Sequence, residues 1–169
     1  FSNIDSQVRY QMIEEIKQIL KRQHVSAVFV THSKEEAFAF ADKLALMEGG
    51  KIVQFGRADE LYSRPKNKFV AEFLGQVNYL NCSVQSTNSL ATPLGEIRSA
   101  HPLQTSEGKT LTAQSAVQWL LRPQHIQLEH SDEENAAVIV GKQFLGQHYC
   151  YQVQINETAL QVHSIHSLP

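Results

Sequence analysis

One side chain combines polar chemistry with a placement suited to a ligand: His32, within residues 26–41, SAVFVTHSKEEAFAFA. Before it runs Ala27-Val28-Phe29-Val30-Thr31, a short β-branched and aromatic stretch that predicts a fully buried strand. After it comes Ser33-Lys34-Glu35-Glu36, the S-x-x-E of a capping box, which predicts a helix start. His32 is thereby placed at the carboxyl end of a parallel strand, the edge on which open α/β sheets bind ligands. A polar ring just ahead of a helix N-terminus is aimed at an anion such as a phosphate. A histidine that merely ends a strand and donates to a nearby carbonyl satisfies the same spacing.

Eight histidines and two cysteines raise the question of a metal. His163 and His166 sit in a stretch read as strand, where an i, i+3 pair points to opposite faces. His148 and Cys150 share a strand face at i, i+2 and could begin a soft-metal site. No third and fourth ligands stand at a recognisable spacing, and no third group orients a Cys–His nucleophile pair. The expected metal content is none.

The elements that must position His32 follow from periodicity. Asp5 or Ser6 is a helix N-cap, and Val8, Met12, Ile13, Ile16, Ile19 and Leu20 recur at helical spacing, giving a helix packed on a sheet. Beyond His32, a short helix buries Ala37, Phe38, Ala41 and Leu44. Residues 44–47 and 51–55 flank Glu48-Gly49-Gly50 as a hairpin, because consecutive glycines suit a turn that needs positive φ. Residues 59–62 form a short helix stopped by Arg64-Pro65. Asn67 caps another, with Phe69, Val70, Phe73 and Leu74 on its apolar face and Gly75 at its end. From Gln76 the pattern changes to short β-rich segments: residues 79–84, 92–95, 115–122, 136–141, 148–155 and 159–165. In residues 115–122, Val117, Trp119 and Leu121 form one buried face. Such spacing suggests a small barrel or sandwich. Residues 129–135, EHSDEEN, form an acidic, solvated loop.

Composition narrows the classes. The chain has 169 residues, 42% hydrophobic and 19% charged, enough for one ordinary domain or two small ones and too apolar for disorder. A net charge of −2 without a basic run gives no case for nucleic acid as a partner. No apolar run approaches the ~18–20 residues of a membrane span, and residues 1–5 are not a signal peptide. Two cysteines are too few for a disulfide framework, so a reducing cytoplasm is expected.

Residues 31–37, THSKEEA, with Ala41-Asp42-Lys43 and the run from Met47 through Glu48-Gly49-Gly50-Lys51-Ile52-Val53 to Gly56, resemble the end of an ABC-transporter ATPase domain. The resemblance covers residues 1–75 as an ordered series of elements. It implies that His32 is the switch histidine of the H-loop, which contacts the γ-phosphate of ATP. It also implies that Ser2-Asn3-Ile4-Asp5 is the D-loop, S-x-x-D, contacting a partner ATPase across a nucleotide-sandwich dimer; Asn3-Ile4 stands where Ala-Leu is commoner. Asp5 as a simple helix cap fits equally well.

The sequence contains no G-x-x-x-x-G-K-[ST], no L-S-G-G-Q signature and no Walker B carboxylates, the elements that cradle phosphates and hold Mg²⁺. The chain opens without methionine and reads as the later part of a longer ATPase. By itself it is expected to be inactive, to bind no cofactor, and to leave an apolar sheet edge exposed to a partner, a rearranged fold or self-association. ATP and Mg²⁺ are expected only for the intact parent.

Residues 120–126, LLRPQHI, and Phe144-Leu145-Gly146 resemble elements of the TOBE-type domains of importer ATPases. Such domains are OB-like, help to dimerise the ATPase and in some cases bind a regulatory ligand. Arg122 taken alone reads as a surface cation after a strand. The expected architecture is therefore α/β, a partial P-loop NTPase domain over residues 1–75, followed by an all-β OB-like TOBE regulatory domain over 76–169. The wording of residues 35–42 resembles ferric-ion importers more than sugar or polyamine importers, with polyamine, sugar or sulfate as the alternative cargoes. The family implies permease subunits, a substrate-binding protein, a homodimer, and a peripheral position on the cytoplasmic side of a bacterial membrane. The competing reading is a ligand-sensing or dimerising β module with no catalytic role.

Overall fold

The computed structural model describes residues 6–131 and 136–168. The expected D-loop residues Ser2 and Asp5, and most of the acidic loop, lie outside the described residues. Two compact units meet at the boundary between Gly75 and Gln76.

The first unit runs α1 (Ser6–Arg22), α2 (Lys34–Phe40), β1 (Leu44–Glu48), β2 (Lys51–Gly56), α3 (Ala58–Ser63) and α4 (Lys68–Leu74). α1 ends where His24 takes φ 55°. The amide of Val25 there donates to Leu20 O at 3.0 Å and that of His24 to Lys21 O at 3.2 Å, closing the last turn as a Schellman motif. β1 and β2 pair antiparallel around Gly49 and Gly50, whose φ values of 56° and 76° make the primed turn that two-residue hairpins require. α4 starts on Asn67, whose Oδ1 accepts from the Val70 amide at 3.0 Å. Leu44, Leu46, Leu61, Val70 and Leu74 form the core, bringing the hairpin and the last two helices together.

Two expectations fail here, for one reason. Residues 25–31 form no strand, and Val28 and Val30 are 95% and 89% exposed. A strand needs neighbours for its amides and carbonyls, and among the described residues the only ladder of this unit is the β1–β2 pair. The apolar face of α1 consequently has no sheet to cover it. Ile13 is buried, while Val8, Ile16 and Ile19 are exposed. The unit is thus a mixture of helices with one antiparallel hairpin, without the parallel sheet expected around His32.

The second unit contains β3 (Asn78–Ser86), β4 (Ser89–Thr92), β5 (Gly95–Arg98), β6 (Ala116–Leu121), a 3₁₀ turn at Pro123–His125, β7 (Val138–Phe144), β8 (Tyr149–Ile155) and β9 (Thr158–Ser164). They form two antiparallel sheets, ordered β5-β4-β3-β6 and β7-β8-β9. β3 alternates as a half-buried strand should, with Leu80, Cys82 and Val84 buried on one face beside Leu90 and Leu160. Tyr151, Val153 and Val162 form a second cluster. Asn78 joins the two sheets: its Nδ2 donates to Gln161 O at 2.8 Å, and its Oδ1 accepts from Gln161 N at 2.8 Å.

Arg122 is not the surface cation expected. It is 3% exposed, and its Nη1 donates to Gln76 O at 3.2 Å. The residue leaves β6 directly into the buried Pro123, so the turn carries it inward.

Candidate functional site

His32 lies in a bend between α1 and α2, and its side chain is exposed. The residues on either side of it are fixed. Thr31 Oγ1 donates to Glu36 Oε2 at 2.5 Å and accepts from the Ser33 amide at 3.0 Å. Ser33 Oγ accepts from the Glu36 amide at 3.1 Å, capping α2 as the S-x-x-E spacing indicated. The reciprocal arm of the capping box is not made. The Glu36 carboxylate turns instead to Thr31 and to Arg9 on α1, whose Nη1 is 3.1 Å from Oε1.

Glu36 is therefore the hub of the site. The Thr31 hydroxyl, and after it the Arg9 guanidinium and His32, hold its carboxyl below the usual carboxylate range, against a desolvation penalty in the other direction. α1 makes two further polar links: Lys17 Nζ donates to Ala39 O of α2 at 2.9 Å, and Lys21 pairs with Asp42, just beyond α2, at 3.4 Å. Sequence reading found Thr31, His32, Ser33 and Glu36 within one motif but missed Arg9, because its link to Glu36 spans 27 residues and leaves no local spacing to read.

His32 borders an open, mostly apolar cleft of about 850 Å³, lined among others by Phe29, Phe40, Ala41, Phe55 and Leu74. The volume is within the range of ligand pockets. Its polar furniture is not that of a complete nucleotide site. The first turn of α2 carries Glu35 and Glu36, which oppose an anion at that helix end. Among the described residues no group of three or more His, Cys, Asp or Glu could hold a metal ion. The described residues thus offer ATP one exposed imidazole and offer Mg²⁺ no ligand set. They do not fit the whole cofactor, and no catalytic step follows from them alone. The other groups weighed for metal, His148 and Cys150, lie in the second unit; Cys150 is a free thiol facing His163 across the β8–β9 register.

The chain's homologues are ABC transporter ATP-binding proteins. An uncharacterized ABC transporter ATP-binding protein of Sinorhizobium fredii is 40% identical over 82% of this chain and 37% of its own length. The spermidine/putrescine import ATP-binding protein PotA of Pseudomonas fluorescens is 31% identical over 99% of the chain and 45% of its own length. PotA of Lawsonia intracellularis is 36% identical over 79% of the chain and 36% of its own length. The chain spans less than half the length of these curated relatives. No family model matches it. Among the described residues no helix is long and apolar enough to cross a membrane.

Proposed function

We propose that this chain is the C-terminal segment of the ATP-hydrolysing subunit of an ABC import system. Residues 1–75 are then the end of its nucleotide-binding domain, and residues 76–169 an OB-like TOBE regulatory domain. The observation that carries this reading is the similarity over 99% of the chain to an importer ATP-binding protein, a stretch that covers both units. In the assembled subunit, His32 is the switch histidine that contacts the γ-phosphate, held in position by the Thr31–Glu36–Arg9 network. Ser2 and Asp5 are the D-loop contact to a second ATPase subunit. ATP and Mg²⁺ are bound mainly by the preceding part of the subunit, which works at the cytoplasmic face of the membrane with permease subunits and a substrate-binding protein.

The cargo we assign is a polyamine, supported by the names of several relatives, which are spermidine/putrescine import proteins. A ferric-ion cargo is the second reading, supported by the wording of residues 35–42, EEAFAFAD. Two linked measurements test the proposal. The coding sequence upstream of Phe1 should encode a Walker A loop, an L-S-G-G-Q signature and a strand ending in Asp-Glu; their absence overturns the ATPase reading. Disruption of the gene should abolish uptake of labelled spermidine and spare ferric-iron uptake. Loss of iron uptake alone selects the second cargo.

A further inference from the structure

In the register of β8 and β9, Cys150 stands opposite His163, so His148, two residues before Cys150, lies diagonal to His163 on the same face. Their rings meet with centroids 4.4 Å apart and planes inclined at 37°. The Nε2 atoms of both rings are buried and have no hydrogen-bond partner. His148 is also the residue whose carbonyl accepts from the Leu145 amide at 2.9 Å, closing the turn that leads into β8.

We propose that the stacked imidazoles of His148 and His163 form a proton-operated latch on the β8–β9 hairpin, closed while both rings are neutral and loosened when one becomes charged. A neutral imidazole needs one donor site and one acceptor site, but an imidazolium carries an N–H on both nitrogens. Here the second N–H is a buried donor without an acceptor, and its charge lies against the sister ring. Burial, and then the neighbouring His148, hold His163 below its ordinary value of 6.5.

No facing group reverses this sign. β8 contributes the Cys150 thiol, Tyr149 and Tyr151. From β7 comes Lys142, whose ammonium is bound to Ser167 Oγ and the Leu168 carbonyl. The 3₁₀ turn packed on β9 brings His125, and β3 brings Tyr79 and Cys82. β9 has no titratable side chain besides His163, and His166 follows just beyond its end. A metal is not what the pair is built for, since no third ligand joins it among the described residues.

A group whose folded pKa is depressed binds more protons unfolded, so the stability it contributes is present above about pH 6.5 and is lost as pH falls. The test is amide hydrogen exchange on the full chain from pH 7.5 to 5, corrected for intrinsic rates, together with an NMR titration of the histidine rings. Protection at Tyr151, Val153 and Val162 should fall on acidification, while the β3–β6 ladder keeps its protection. The His163 ring midpoint should lie below 6.5. His163→Gln and His148→Gln should each flatten the pH dependence. Flat protection in the unaltered chain overturns the latch, as does an unchanged loss in either variant or a His163 midpoint at or above 6.5, which indicates a proton shared between the rings. Should a variant fail to fold, the His163 midpoint of the unaltered chain decides.

Discussion

Glu36 shows how little of a site a spacing rule specifies. The S-x-x-E pattern placed it at the start of a helix, and it is there, but its carboxylate spends both oxygens outside that helix, on Thr31 and Arg9. These bonds hold the peptide segment on both sides of His32 while leaving the imidazole exposed. Because the Thr31 hydroxyl heads the influences that depress the Glu36 carboxyl, this group contributes stability above its unfolded value and loses it as pH falls through its folded one. A carbon-13 NMR titration should therefore place its midpoint below the ordinary 4.5. Thr31→Val should move that midpoint upward. An unmoved midpoint would mean that the Thr31 bond does not persist in solution.

The elements fall into two groups by how local their causes are. The β1–β2 hairpin, α3 and α4 appear within a residue or two of where their turn and cap residues place them. Consecutive glycines set the hairpin, and Asn67 sets the start of α4. Asn67→Ala removes the acceptor for the Val70 amide and should destabilise the first unit by about 1 kcal/mol. Urea unfolding should register this as a lower midpoint with an unchanged slope. Residues 27–31 belong to the other group. Their β-branched composition reads as strand, yet a strand exists only through ladder partners, and the described residues provide none. The parallel sheet expected around His32 is absent among the described residues for that reason. Arg122 and Asn78 were missed in the same way: one is drawn in by the turn at Pro123, and the other joins two sheets across 83 residues.

At the scale of the molecule, the two units differ in how completely they are closed. The second buries its strands in two clusters and ties its sheets through Asn78. The first leaves Val28, Val30, Met47 and Phe55 exposed around the segment that carries His32. Single exposed apolar residues are ordinary, but a group of this size marks a surface that another element covers. In the proposed subunit that covering comes from the rest of the nucleotide-binding domain, and the same assembly brings ATP to His32. The most direct measurement is substrate uptake by the importer when its ATPase subunit carries His32→Ala, with subunit level and circular dichroism followed alongside. Uptake should be abolished while amount and fold are unchanged, since the imidazole is exposed. Uptake at the unaltered rate would contradict the assignment of His32 as the switch histidine.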